Sequence, residues 1–109
     1  MDYICSGITS GENQVGEYGG GNVYAGTGMR KHLIGKYSGG VILYHSDFGS
    51  DLPAGHYSSG MAFMDSNPAK AVGSCQEGIV YKGISKVGSY TGDEDGAAVA
   101  ALLLGMFRD

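Results

Sequence analysis

Short apolar runs rich in Val, Ile and Tyr recur along most of the chain, and glycine-containing polar pairs separate them. Runs of β-branched and aromatic residues are typical of β-strands. A glycine between two such runs supplies the positive φ that a tight turn needs. The pattern therefore predicts a series of β-hairpins.

One ten-residue unit occurs four times, beginning near residues 15, 34, 54 and 72, and the first part of a fifth begins near residue 87. Its consensus is an aliphatic residue, Gly, a polar residue, Tyr, two small or polar residues, Gly, any residue, Val and an aromatic residue. Such self-similarity indicates a repeat architecture. If the two residues before the second glycine form the loop, the first glycine of each unit faces the Val near its end.

The links between units are short, so successive hairpins should be neighbours in space. Residues 2–5 resemble the second strand of a unit, and residues 87–92 resemble a first strand without its second. Pairing these two segments would close the sheet. We predict one mainly β domain over residues 1–109, in which repeated hairpins form a closed or curled sheet, a shallow barrel, with one apolar C-terminal helix.

The helix is predicted over about residues 94–107. Asp93, Glu94 and Asp95 precede its apolar residues and Arg108 follows them, which complements a helix dipole. Because the segment is apolar on all sides, it should be buried in the domain or in an oligomer contact. It is too short to span a bilayer. We therefore predict that a second copy of the chain is one partner, bound through this helix in a homo-oligomer.

Composition and charge restrict the function. The chain has a net charge of −4, and its seven Lys and Arg residues are scattered, so it lacks the basic stripe of a nucleic-acid groove. The N-terminal residues do not resemble a secretory signal. Cys5 and Cys75 are too few for a disulfide framework, so we expect reduced thiols and a cytoplasmic location.

Four tyrosines, Tyr18, Tyr37, Tyr57 and Tyr90, occupy equivalent positions of the repeat. In a closed ring they would surround one axis and form a cup for a planar, aromatic or cationic ligand. The alternative is that they simply fill the core. Cys75 takes the tyrosine position of the fourth unit, which favours a structural role over a nucleophilic one.

The densest set of metal-ligating residues, which lies around the link after the second unit, contains His45, Asp47, Asp51 and His56. Imidazole and carboxylate ligands would suit Zn²⁺. Their spacing matches no known ligand signature, so solvated loop residues are the favoured interpretation. The three acids at the helix start could bind Ca²⁺, but helix capping explains them more simply.

The Gly-x-Tyr hairpins with Val-Tyr returns, the acidic step and the Ala/Leu-rich tail resemble the small bacterial proteins called 4-fold beta flower proteins. The resemblance covers residues 15–107 and implies a shallow, symmetric β-barrel of hairpins without an established activity. We expect a non-catalytic binding or scaffold module, able to self-associate and requiring no cofactor. The alternatives are a small-molecule binding protein that uses the tyrosines and a metal-dependent hydrolase at His45 and His56.

Overall fold

A computed structural model of the chain describes residues 2–6, 14–26, 29, 31–46, 48–64 and 67–107. Within these ranges the chain forms ten strands and one helix. The elements are β1 (Asp2–Ser6), β2 (Gln14–Gly19), β3 (Asn22–Ala25), β4 (His32–Ser38), β5 (Val41–His45), β6 (Asp51–Ser58), β7 (Met61–Met64), β8 (Asn67–Gln76), β9 (Ile79–Lys82), β10 (Ser85–Tyr90) and α1 (Glu94–Leu103).

The sheet closes into an antiparallel barrel. Each strand pairs with its neighbours in sequence, and β1 pairs with both β2 and β10. Ile4 lies opposite Tyr90 in this closing pair. Just beyond it, the Thr91 backbone N–H donates to the Tyr3 carbonyl at 3.0 Å, and the Tyr3 N–H donates to the Thr91 hydroxyl at 2.9 Å. The strands β10 and β1 therefore pair as the two strands of a fifth unit, although no turn joins them. Of the two predicted forms, closed and curled, the sheet adopts the closed one.

The four continuous hairpins share one turn geometry. Their loop pairs all have positive φ at both positions, as type I′ turns require: Gly20 and Gly21, Gly39 and Gly40, Ser59 and Gly60, Glu77 and Gly78. Each loop lies one residue later than the sequence predicted. As a result Tyr18 faces Val23, whereas Gly16 faces Ala25. The prediction that the first glycine faces the late Val was wrong, because the second glycine is itself a loop residue.

A repeated hydrogen bond joins neighbouring hairpins. The carbonyl of the second turn residue accepts from the backbone N–H at the tyrosine position of the next unit. The four examples are Gly21 to Tyr37 (2.9 Å), Gly40 to Tyr57 (2.9 Å), Gly60 to Cys75 (2.7 Å) and Gly78 to Tyr90 (3.0 Å). The turn of one unit and the tyrosine position of the next are thus fixed relative to each other, which gives the repeat its regular spacing.

A bulge precedes the first glycine of every unit. In β4, for example, Leu33 and Gly35 both have partners on β3, whereas Ile34 between them has none. A Cβ atom on Gly35 would lie 2.6 Å from the carbonyl oxygen of Leu43 on β5. The first glycine is therefore needed where two backbones approach closely. The other bulged residues are Val15, Ala54, Val72 and Val87.

The helix α1 lies inside the barrel, where its residues from Gly96 to Ala101 are buried. It ends at Leu103 and not near residue 107 as predicted. Gly105 has a φ of 78°, and the Met106 N–H donates to the Ala101 carbonyl at 2.9 Å, which is a Schellman ending. In the described ranges, no helix has the length and apolar character required to cross a bilayer.

Candidate functional site

The tyrosine positions of the five units lie at one level of the barrel, on its inner face. Each lies opposite an apolar residue of the second strand of its unit, and all five of those apolar residues are fully buried. The pairs are Tyr18 with Val23, Tyr37 with Ile42, Tyr57 with Ala62, Cys75 with Val80 and Tyr90 with Ile4. We call the first members of these pairs, Tyr18, Tyr37, Tyr57, Cys75 and Tyr90, the tyrosine level.

Tyr18 supports the start of α1. It is fully buried, and its hydroxyl donates to the carbonyls of Thr91 and, at 3.1 Å, Asp93. A Cβ atom on Gly96 would lie 2.6 Å from the Tyr18 ring, so a glycine is needed where the helix crosses this ring. Burial, followed by the nearby carboxylates of Asp2 and Asp93, raises the pKa of Tyr18. The phenol therefore stays neutral and anchors the helix.

Two acids fix the helix start in the mouth of the barrel that contains the hairpin turns. Asp93 is the N-cap residue, and its carboxylate accepts from the Gly96 N–H. The Asp95 carboxylate accepts from the Gly60 N–H at 2.7 Å, which ties α1 to the turn between β6 and β7. The capping interpretation of this acidic step is thus confirmed for Asp93.

Cys75 is a core residue. It is 2% exposed, and its pKa is raised to about 12, chiefly by burial and then by the charge of Glu94. A thiol that stays protonated at neutral pH is a poor nucleophile. Its small side chain lies at the tyrosine level near the start of α1. It is close to the turn at Gly60, whose N–H binds Asp95.

An open cavity of about 530 Å³ lies beside the helix start. We call it the tyrosine pocket, and it is lined by Tyr37, Tyr57, Ser59, Gly60, Asp93, Glu94 and Asp95. The rings of Tyr37 and Tyr57 meet edge to face, with centroids 5.8 Å apart and planes at 85°. Burial, followed by the charge of Asp93, raises the pKa of Tyr37, so this phenol is neutral at physiological pH.

The tyrosine pocket is negatively charged. The ion pairs among the described residues involve other acids, namely Glu17 with Lys31 and Asp51 with Lys36 and His45. The three carboxylates of the pocket outweigh the helix dipole, which contributes only about half a positive charge at its N-terminus. Glu94 is exposed, and within the described part of the chain its carboxylate has no hydrogen-bond or ion-pair partner. It is therefore available to a ligand.

The four tyrosines selected from the sequence fall into two pairs. Tyr37 and Tyr57 are half-buried and line the tyrosine pocket. Tyr18 and Tyr90 are buried and contribute to the core. The juxtaposition of rings and acids was not predicted from the sequence. A usable signal was present, because Asp93 follows Tyr90 by only three residues, so the helix has to begin near the tyrosine level.

The candidate metal ligands do not converge on one point. His45 Nδ1 lies 2.9 Å from the Asp51 carboxylate, and this hydrogen bond, followed by the charge of Lys36, lowers the pKa of Asp51. His56 lies opposite Val41, four residues along β5 from His45, which separates the two backbones by about 13 Å. Asp47 lies outside the described residues. No group of three metal-ligating side chains occurs within the described ranges.

These observations define the class of fold, a closed barrel of five hairpins that encloses its own C-terminal helix. No protein-family model, curated protein or solved structure matches the chain. The resemblance to the 4-fold beta flower proteins therefore stays a prediction.

Proposed function

We propose that the protein is a non-catalytic binding module that holds a small organic cation in the tyrosine pocket. The observation that carries this proposal is that two half-buried aromatic rings and three carboxylates line a single open cavity. A cation beside an aromatic face is attracted by the ring quadrupole. The exposed carboxylate of Glu94 adds Coulomb attraction, and the hydroxyl oxygens of Tyr37 and Tyr57 can accept hydrogen bonds from an ammonium group.

The structural tasks of the polar groups support a binding role without catalysis. Asp93 caps the helix and Asp95 accepts from the Gly60 N–H, so one oxygen of each carboxylate is already engaged in holding the helix. The raised pKa values of Tyr18 and Tyr37 disfavour the phenolate forms that nucleophilic or basic catalysis would use. The groups of this mouth are therefore arranged to hold the helix and to recognise charge.

We separately propose that the protein self-associates, but through a different surface from the helix that the sequence predicted. The residues of α1 from Gly96 to Ala101 are buried in the barrel, so a dimer of the closed barrel would use its outer wall instead of this part of the helix. We also propose a cytoplasmic location, which the free thiols of Cys5 and Cys75 support. The separation of His45 from His56 gives the hydrolase alternative no comparable support.

Isothermal titration calorimetry with tetramethylammonium tests the proposed function. We expect saturable binding that weakens with added salt, because part of the attraction is electrostatic. Glu94→Gln removes one charge and should weaken binding about 2- to 5-fold. Tyr57→Leu removes an aromatic ring and should weaken it about 2- to 30-fold, whereas Tyr57→Phe keeps the ring and should bind almost as well as the original protein.

Glu77→Gln is the matched control. It removes the same charge from an exposed turn residue that does not line the tyrosine pocket, so the affinity should stay within about 2-fold of the original. Thermal melts establish that each variant is folded. Absence of saturable heat from the folded original protein, or equal losses in Glu94→Gln and Glu77→Gln, would contradict the proposal.

A further inference from the structure

The first glycine of each unit leaves a niche in the inner wall of the barrel. A Cβ atom there would collide with a side chain of the C-terminal segment in four of the five units. Those side chains are Leu104 at Gly16, Leu103 at Gly35, Phe107 at Gly73 and Met106 at Gly88. The end of the chain thus places one apolar side chain into each of four niches.

The fifth niche, at Gly55, is different. The three atoms nearest to a Cβ at Gly55 all belong to the backbone of Phe63 and Met64 on β7, and none belongs to the C-terminal segment. The bulged residue before this glycine is Ala54, whereas the other four units carry Val or Ile at that position. At Gly55 the closest contacts thus come from the wall itself, and the smaller side chain of Ala54 leaves space beside it that Val or Ile fills in the other units.

A second cavity, of about 370 Å³, lies at this niche, and we call it the apolar pocket. Ala54 and Met64 contribute one wall, Tyr44 and Val72 flank them, and Leu103 and Phe107 form the side toward the helix. The volume lies in the range of small-molecule sites, which is about 300–1,000 Å³. Tyr44 and Met64 are 45% and 44% exposed, so the pocket opens to solvent at its rim.

We propose that the apolar pocket is a binding site for a small apolar molecule, with a branched alkyl group or a single aromatic ring as the bound part. The commitment to this chemistry follows from the other four niches, which hold the side chains of two leucines, one methionine and one phenylalanine. An apolar cavity gains little from water and favours an apolar occupant. The site lies at the C-terminal end of α1 and is independent of the cation site proposed at its N-terminal end.

Toluene serves as the probe, with the full-length protein in solution. We expect saturable intermolecular NOEs from toluene protons to the methyl groups of Met64 and Leu103, and none to the methyl group of Met61 on the outer wall. A saturable rise in melting temperature of about 3–6 °C should accompany toluene at about three times its Kd.

Ala54→Ile places the residue of the second unit at the bulge of the third, so it should fill the niche and abolish both signals. Val15→Ile enlarges the equivalent residue of the first unit, outside the apolar pocket, and should leave both signals intact.

Three results would overturn the proposal. The first is the absence of saturable NOEs in the folded original protein up to the solubility limit of toluene. The second is a thermal shift that persists in folded Ala54→Ile, since the ligand would then bind elsewhere. The third is a dimer, detected by light scattering, whose interface covers Met64 and Tyr44, because a second copy would then occupy this mouth. If Ala54→Ile does not fold, the NOEs of the original protein decide the question alone.

Discussion

Glycine has two separate tasks in this barrel, and the repeat places them at different positions. The second glycine of each unit is a turn residue with a φ between 76° and 86° in the four continuous hairpins. The first glycine instead allows a neighbouring carbonyl or a C-terminal side chain to approach the backbone. Ser59 and Glu77 show that the turn position before the second glycine accepts other residues, with φ values of 52°.

Two substitutions in one hairpin separate these tasks. Gly35→Ala should lower the free energy of unfolding by about 1–3 kcal/mol, because the added methyl group meets both the Leu43 carbonyl and the Leu103 side chain. Gly39→Asn should change it by less than about 0.5 kcal/mol, since Asn-Gly is a favoured type I′ pair and no atom lies within 4 Å of a Cβ at Gly39.

Urea denaturation of the two variants measures this difference. Equal losses in Gly35→Ala and Gly39→Asn would show that the first glycine is not required for close packing.

The sequence was enough to predict the number of hairpins and the level of the tyrosines, because both depend on spacing alone. It was not enough to fix the loop register. The segment between Tyr37 and Val41 contains Ser38, Gly39 and Gly40, and more than one pair of these can be the loop. The choice depends on which pair has positive φ at both positions, and the type I′ turn selects the later pair.

At the level of elements, the start of α1 was predictable and its end was not. Asp93 carries a local signal for an N-cap, and it is used as one. The apolar residues continue past Leu103, so hydrophobicity alone extends the helix too far. Gly105 ends it, and Leu104, Met106 and Phe107 then leave the helical path to reach three niches of the barrel wall, while Leu103, the last helical residue, reaches a fourth.

Asp93→Ala should lower the free energy of unfolding by about 0.5–2 kcal/mol, because the Gly96 N–H loses its acceptor. Asp93→Asn keeps a side-chain oxygen for the cap and should cost less. Thermal denaturation followed by circular dichroism measures both variants. A loss in Asp93→Asn equal to that in Asp93→Ala would mean that the negative charge, and not the hydrogen bond, stabilises the helix start.

The tyrosine pocket joins residues from three elements and could not be predicted as a unit. The repeat identified Tyr37 and Tyr57, and the helix signal identified Asp93 and its neighbours. Their meeting depends on where α1 lies inside the barrel, which the hydrogen bond from the Gly60 N–H to Asp95 helps to set. That contact joins residues 35 positions apart, and no local pattern predicts it.

At the scale of the whole molecule, the two ends of the barrel differ in chemistry. The end with the hairpin turns carries the tyrosine pocket with its carboxylates, and the other end carries the apolar pocket between the wall and the C-terminal segment. The helix connects them, because its first residues line one pocket and its last residues line the other. Both proposed sites therefore depend on a closed barrel with α1 inside.

The closing pair β1–β10 is the least local contact on which this arrangement depends, since residues from the two ends of the chain must meet. A ¹H NOESY spectrum of the full-length protein tests it directly. We expect cross-strand NOEs between Ile4 and Tyr90 and between Cys5 and Ser89, together with NOEs from the Tyr18 ring to Gly96. A folded protein that lacks the β1–β10 NOEs, or in which the Tyr18 ring does not contact the helix, would show that the barrel is not closed around α1.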